Sequence, residues 1–156
     1  MIKTSLLTLG LLTASVLSAA SGNLEIYWID AEGGAATLIV APTGESVLVD
    51  TANRRDDDRD ANRILAATKA AGLSKIDILV TTHYHGDHIG AMPALAKLIP
   101  IEHYMDHGPS VELDRPRVAA LYKAYEDLSA GKRTMLKAGD KIPLGALDIT
   151  VVQSAG

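Results

Sequence analysis

The sequence contains no cysteine, and neither sign of charge dominates it. Without cysteine the chain forms neither a disulfide framework nor a thiolate metal site, and a lipoprotein anchor at the N-terminus is excluded. The 15 basic and 19 acidic residues give a net charge of -4, which provides no overall attraction to nucleic acid or to an anionic membrane. Any bound metal must therefore be held by histidine and carboxylate side chains.

Beyond residue 20 the chain also lacks an apolar run of the roughly 20 residues that a membrane span requires. The first residues follow a different pattern. Lys3 provides a positive start, residues 5–17 are almost continuously apolar or small, and residues 18–20 are the small residues Ser-Ala-Ala. This pattern predicts a signal peptide over residues 1–20 and a secreted or periplasmic protein, with a transmembrane anchor as the alternative.

The remaining segment, residues 21–156, has room for one domain, and its composition is that of a globular protein. Its apolar periodicity predicts short strands alternating with helices. Strands are expected at 24–29, 37–40, 46–49, 76–80 and 101–105 and as three short strands within 134–152, and helices at 61–71, 91–98 and 117–130. The charge run at 54–60 is interpreted as a solvated loop, in which Asp58 or Asp60 caps the helix that follows.

A cluster of metal-binding side chains follows the strand predicted at 76–80. This strand leads directly into Thr82-His83-Tyr84-His85-Gly86-Asp87-His88. His83 and His85 are two residues apart and can point to the same side of an extended segment, whereas Asp87 and His88 follow Gly86 at the start of a helix. Four such ligands can serve two ions about 3.5–4 Å apart and suit zinc, with manganese and iron as alternatives. A loop of surface histidines without metal is the competing interpretation.

The pattern His83-x-His85-x-Asp87-His88 resembles the signature of the metallo-β-lactamase fold superfamily. The run Val47-Leu48-Val49-Asp50-Thr51 resembles the strand of that fold that ends in an aspartate. Residues 30–36 resemble the opening motif of its ComEC-like branch, which is named for the soluble domain of a DNA-uptake protein. The resemblance extends from about residue 24 to residue 152. It implies an αββα sandwich of the α+β class, with the metal site at one edge of the sheets.

The same resemblance implies a role for each residue of the motif. His83 and His85 would bind a first metal ion, and Asp87 and His88 a second. Asp87 would also orient or deprotonate the attacking water as a catalytic residue. Asp50 would support the loop from behind the ligands by accepting hydrogen bonds from backbone amides, with a plain turn aspartate as the alternative.

Three features depart from the family pattern. Ala52 stands where the family usually has glycine, and Ala35 stands where the ComEC-like branch usually has an aspartate. The family completes its two sites with a third histidine, a bridging aspartate and a further histidine, yet no histidine follows His107 in this sequence. We therefore expect the domain at 21–156 to be the N-terminal half of the sandwich and incomplete at its C-terminus.

Two further histidines lie in or after the strand predicted at 101–105. If this strand runs parallel to the strand at 76–80, both end at the same edge of the sheet, and Asp106 and His107 lie near the metal site. His107 is therefore a candidate for contact with substrate or metal, with a satisfied polar residue as the alternative. His103 lies inside the strand and is expected to be structural.

Taken together, these patterns predict an exported metal-dependent hydrolase that uses a metal-bound hydroxide, with two zinc ions as cofactors. The expected substrate is a small molecule, and the ComEC-like opening favours a phosphodiester. A β-lactam is not favoured, because nothing beyond the shared loop points to it. The alternatives are a non-catalytic metal-binding fragment or pseudoenzyme, and an exported binding module without metal. The sequence does not predict the oligomeric state.

Overall fold

A computed structural model describes residues 21–154 of the chain. The predicted signal peptide at 1–20 lies outside these residues. Within the part that is described, no helix combines the length and the apolar character that a membrane crossing needs.

The strands and helices predicted from the sequence are present, with their ends shifted by one or two residues. The strands are β1 (Glu25–Trp28), β2 (Thr37–Val40), β3 (Ser46–Val49), β4 (Ile76–Val80), β5 (Ile101–Asp106), β6 (Arg133–Met135), β7 (Lys141–Leu144) and β8 (Leu147–Thr150). The helices are α1 (Arg59–Ala70), α2 (Gly86–Ile89), α3 (Met92–Leu98) and α4 (Pro116–Ser129). Helix α2 is a single turn that the sequence indicated only as the entry to a longer helix.

Strands β1 to β6 form one mixed sheet in chain order. The first three strands pair antiparallel, as the short turns between them require, and β3, β4, β5 and β6 pair in parallel. Parallel neighbours need a crossover, which α1, α3 and α4 provide. Strand β5 runs parallel to β4, so the condition under which Asp106 and His107 would lie near the metal site is met. The carboxyl ends of β3, β4 and β5 therefore meet at one edge of the sheet.

The two faces of this sheet bury two separate apolar cores, because side chains alternate along each strand. On β3 and β4, Leu48 and Leu79 pack under the helices, whereas Val47 and Ile78 face the opposite side. The β7–β8 hairpin covers that opposite side and contributes Ile142 among other residues. The order of layers is thus helices, the six-stranded sheet and a small second sheet.

The interpretation of residues 54–60 as a plain solvated loop is wrong at Asp60. This residue lies in the first turn of α1, is 1 % exposed, and accepts hydrogen bonds from the Asn53 backbone N–H at 3.1 Å and from Arg59 Nε at 2.9 Å. Asp58 holds the predicted cap position with φ 51°, but its side chain makes no cap bond. The Asp60 carboxylate instead joins the loop after β3 to α1, a tertiary contact that a charge pattern does not predict.

Candidate metal centre

The predicted metal loop begins where β4 reaches the edge of the sheet. Residues 82–85 are neither helix nor strand, and His85 has an extended conformation (φ -79°, ψ 156°) at the start of α2. The His85 carbonyl then accepts the N–H groups of His88 and Ile89, both at 3.0 Å. This single helical turn folds the chain back, so that the rings of His83 and His88 lie 3.7 Å apart, centroid to centroid.

The four predicted ligands lie together. His83, His85 and Asp87 each offer one ligand atom such that all three atoms lie within 4.8 Å of one another. His88 joins them from the other side, with its Nε2 3.7 Å from an Asp87 carboxylate oxygen. Three imidazoles and one carboxylate in this space fit the donor preferences of zinc and similar divalent ions. The assignment of each residue to a particular ion stays a prediction.

Burial and neighbouring charge keep His83 in the form that binds metal. Its half-buried ring loses solvation, and the adjacent His88 and His85 disfavour a further positive charge, so the pKa of His83 lies below its ordinary value. A metal ion requires neutral imidazole. The packing of the three rings therefore favours the ligand form of His83.

Asp50 lies beneath the loop and forms hydrogen bonds with two of its residues. The residue is 2 % exposed, and its Oδ1 accepts the Thr82 backbone N–H at 2.8 Å. Its Oδ2 accepts the Thr82 hydroxyl at 2.6 Å and also lies 2.7 Å from His88 Nδ1. The second contact was not anticipated. The contact between Asp50 and His88 engages His88 Nδ1. The other ring nitrogen, Nε2, lies on the side of the ring that faces Asp87.

Backbone contacts close the site on the side of the β1–β2 and β3–α1 loops. The Thr51 N–H donates to the His88 carbonyl at 2.6 Å, and the Ala35 N–H donates to the Asp87 carbonyl at 3.0 Å. Gly34 packs so closely that a Cβ there would lie 2.6 Å from the Asp87 carbonyl oxygen. Ala52, which stands where the family usually has glycine, adopts φ 60°, the left-handed conformation that glycine favours.

Glu112, which the sequence did not single out, contacts the metal loop. It lies in the turn between β5 and α4, and its Oε2 is hydrogen bonded to His85 Nε2. Its other oxygen pairs with Arg115 Nη1 at 2.7 Å. The hydrogen bond from His85, followed by the charge of Arg115, holds the pKa of Glu112 below its ordinary value. Nothing local in the sequence marks this residue, because its partner lies 27 positions earlier in the chain.

Residues 29–150 match the family model described as the metallo-beta-lactamase superfamily. The chain belongs to this superfamily.

Known members of the superfamily resemble the chain over part of their length. A protein named UPF0173 metal-dependent hydrolase from Cupriavidus metallidurans is 33 % identical over 103 residues, which are 63 % of this chain and 32 % of the relative. A UPF0173 protein from Pyrococcus abyssi is 28 % identical over 128 residues, which are 82 % of this chain and 46 % of the relative. The chain thus matches between about a third and a half of the length of these relatives.

Solved structures of the superfamily share the fold. The metallo-beta-lactamase from Legionella gormanii superimposes with a TM-score of 0.58 at 21 % identity, over 80 % of this chain and 48 % of that one. At this identity the likeness establishes architecture alone. The predicted fold is confirmed, and helices and mixed sheet are those of the superfamily.

His107 does not join the four predicted ligands of this loop. Its ring lies 5.3 Å from that of Tyr84, and its Nδ1 is buried without a hydrogen-bond partner in the part of the chain described. It lines a separate cavity of about 190 Å³ together with Thr81 and Thr82. Contact with substrate therefore stays a prediction for His107. His103 has a partner outside the site, since its Nε2 lies 2.8 Å from the Thr134 hydroxyl.

Asp106 also lines this cavity, but its carboxylate forms hydrogen bonds within the core. Its side chain is fully buried and accepts Arg133 Nε at 2.7 Å and Nη2 at 2.9 Å, the Tyr125 hydroxyl at 2.8 Å and the Gly108 N–H at 2.7 Å. Burial alone would raise its pKa, but the hydrogen bonds from Arg133 and Tyr125 outweigh burial, so the pKa of Asp106 lies below its ordinary value. Both oxygens of the Asp106 carboxylate are engaged by these four hydrogen bonds.

Tyr84 connects the metal loop to the buried residues around Asp106. The residue lies between His83 and His85 in sequence but points into the core, where it is 2 % exposed. Its hydroxyl donates to the Gly108 carbonyl at 2.7 Å, and burial raises its pKa. The alternation of an extended segment thus directs the two histidines outward and anchors the tyrosine between them.

A cavity of about 380 Å³ is lined by two of the predicted ligands, His85 and Asp87, and by Arg115 and Arg117. The Arg117 guanidinium lies 3.6 Å from the position that a Cβ on Gly86 would occupy. Arg115 is paired with Glu112, whereas no carboxylate within residues 21–154 pairs with Arg117. The sequence did not single out these arginines, and Arg117 gives the cavity one guanidinium that has no carboxylate partner among residues 21–154.

Proposed function

We propose that this chain carries the metal centre of an exported hydrolase that uses two zinc ions. The observation that carries the proposal is the grouping of three imidazoles and a carboxylate at the edge of the sheet. Membership of the superfamily and the relatives named metal-dependent hydrolases support the reaction class. Manganese and iron are the alternative ions, because the donor set also suits them.

In this proposal His83 and His85 hold one ion and Asp87 and His88 the other. When bound, the ions supply a water of lowered pKa and polarise the scissile bond. Asp87, whose side chain is close to half exposed, orients that water and accepts its proton. Asp50 and Thr82 keep His88 in place through the hydrogen bonds described above.

The proposed substrate is a phosphodiester or another anionic small molecule. Arg117 in the lining of the cavity beside His85 and Asp87 supports this, since guanidinium groups bind phosphate oxygens well. Assignment to the ComEC-like branch rests on residues 30–36, whose glycine turn packs against the Asp87 carbonyl. The net charge of -4 does not favour a long polyanion, so a small phosphodiester fits better than a nucleic-acid duplex.

Export to the periplasm or the medium is proposed from the sequence of residues 1–20 alone. The expected mature protein begins at Ser21, which mass spectrometry of material recovered from the periplasm or medium would detect. Recovery of the uncleaved chain from the cytoplasm only would contradict export.

The metal proposal is tested by zinc content and by hydrolysis. We expect the purified chain to retain up to two zinc ions after dialysis and to hydrolyse bis(4-nitrophenyl) phosphate, a reaction that a chelator abolishes. The double variant His83→Ala/His85→Ala should lose zinc stoichiometry and activity together. A chain that folds but retains no zinc, or a double variant that retains it in full, would overturn the proposal.

The proposed preference for an anionic substrate is tested separately at Arg117. Arg117→Gln should raise KM for the phosphodiester several-fold with zinc content unchanged. The control is Lys123→Gln, which removes one charge from an exposed part of the same helix, where Lys123 pairs with Asp127. Equal KM values for the two variants would contradict the anionic subsite.

A second candidate function is metal binding without catalysis. It is favoured by one observation: among the described residues, the metal-binding side chains that cluster all come from this one loop. Stoichiometric zinc without hydrolysis of phosphodiesters, phosphomonoesters, lactones or thioesters would support this candidate over the hydrolase.

A further inference from the structure

We propose that Glu112 is a positioning residue that fixes which ring nitrogen His85 presents to metal. The proposal rests on the metal-binding function above, and it concerns a residue outside the metal-binding motif. Glu112 Oε2 is hydrogen bonded to His85 Nε2 in the structure. That contact comes from a segment that lies between β5 and α4 and that carries none of the ligands.

The chemistry of imidazole gives this contact its consequence. In neutral histidine one ring nitrogen carries the proton and the other carries the lone pair that binds metal. A carboxylate accepts only from the protonated nitrogen, so Glu112 holds the proton on Nε2 of His85. The remaining nitrogen, Nδ1, is then the one that carries the lone pair for metal.

Glu112 is itself held in position. Its Oε1 accepts Arg115 Nη1 at 2.7 Å, and its backbone N–H donates to the Ser110 hydroxyl at 3.2 Å. Its side chain is 28 % exposed, less than that of His85 at 44 %. Both carboxylate oxygens therefore have partners, and the carboxylate has little freedom to leave the histidine.

His88 provides an internal comparison, because Asp50 holds it from the opposite ring position. Asp50 Oδ2 lies 2.7 Å from His88 Nδ1, which directs Nε2 outward, whereas Glu112 engages Nε2 of His85. Two carboxylates from two different loops thus orient two ligands of the same loop. Carboxylates that accept from metal-binding histidines raise their basicity and fix their orientation.

The test measures zinc affinity and the tautomer of His85 in four proteins. The wild type is compared with Glu112→Ala, which removes the acceptor, and with Glu112→Gln, which keeps a neutral acceptor. The control is Asp114→Ala, a change at an exposed carboxylate on the same segment. Zinc affinity is obtained by competition with a chromogenic chelator, and the His85 tautomer from long-range ¹H–¹⁵N spectra of the metal-free proteins.

We expect zinc affinity to fall roughly 10–100-fold in Glu112→Ala, in the range typical for loss of such a partner, and less in Glu112→Gln. The metal-free wild type and Glu112→Gln should show the Nε2–H form of His85, and Glu112→Ala a mixture of both forms. The control should match the wild type in both measurements.

Two results would overturn this inference alone. The first is equal zinc affinity and an equal tautomer in Glu112→Ala and the wild type. The second is a Glu112→Gln variant as weak as Glu112→Ala despite an unchanged tautomer, which would make Glu112 a metal ligand and not a positioning residue. Failure of the wild type to bind zinc would instead refute the proposed function, and this inference with it.

Discussion

Replacing Asp106 by asparagine tests how the end of β5 is held beside the metal loop. The substitution keeps the size of the side chain but removes its charge. In the wild type this fully buried carboxylate accepts two hydrogen bonds from Arg133 and one each from Tyr125 and the Gly108 N–H. Asparagine presents one acceptor oxygen, and its amide N–H₂ faces donors. The charge of Arg133 is then left without its main partner.

The expected loss of stability follows from the burial of the Asp106–Arg133 ion pair. Removing one partner of a buried ion pair destabilises a protein by about 3–5 kcal/mol. The Arg133 side chain is 20 % exposed, and a Glu126 oxygen lies 3.6 Å from its Nη1, so part of its charge stays compensated. We therefore expect the lower end, about 3 kcal/mol, which corresponds to a Tm lower by roughly 6–12 °C in a domain of this size.

Urea and thermal unfolding followed by circular dichroism would measure this loss. Glu126→Gln is the matched control, because it removes a carboxylate from the same arginine at a longer distance and at a half-exposed position. It should cost less than about 1 kcal/mol, as exposed pairs do. The double variant Asp106→Asn/Arg133→Met should recover part of the loss, since no unpaired charge is left buried.

A loss below about 1 kcal/mol in Asp106→Asn would refute this reasoning. It would mean that water or a rearranged Glu126 solvates Arg133 as well as the buried carboxylate does. A loss equal to that of Glu126→Gln would lead to the same conclusion.

Three further predictions concern the same region. Because the folded pKa of Asp106 lies below its ordinary value of about 3.9, its contribution is present above that pH and is lost as the pH falls through the folded pKa. The urea midpoint of the wild type should therefore fall more steeply below pH 4 than that of Asp106→Asn, and parallel curves would contradict this. Tyr84→Phe should cost about 1–3 kcal/mol in urea unfolding, because it leaves the buried Gly108 carbonyl without its donor at 2.7 Å, and an unchanged midpoint would show that another donor replaces it. Asp50→Asn should weaken zinc binding roughly 10–100-fold in a chelator competition, since its amide would face His88 Nδ1, and wild-type affinity would exclude the supporting role.

Much of the fold could be predicted because its signals are local. The apolar run of β4, the glycine turns and the amphipathic helices lie within short stretches of the chain, and each reflects a backbone preference or the burial of one face. The candidate ligands in the loop at 82–88, which the structure brings close together, could be picked out for the same reason. They lie within one short segment, and β4 directs that segment to the edge of the sheet.

The partners of those ligands could not be predicted, because they come from other elements. Glu112 meets His85 across 27 residues, and Asp106 meets Arg133 across the same separation. Asp60 was interpreted as a solvated charge, yet it is buried because the loop after β3 folds back onto α1. Charged residues carry no periodic signal that distinguishes a solvent-facing position from a buried pair, so only the packed chain decides between them.

The sequence by itself therefore determined the superfamily, the order of strands and helices, and the loop that carries the histidines. Tertiary structure decided how that loop is held and what surrounds it. The parallel pairing of β3, β4 and β5 brings their carboxyl ends to one edge, which places Asp50 beneath His88. The segment after β5 folds over the same edge and brings Glu112 to His85 and two arginines to the adjoining cavity. The physical reason is that the candidate ligands all belong to one short peptide, whereas their orientation and the charge around them depend on segments that meet only in the folded chain.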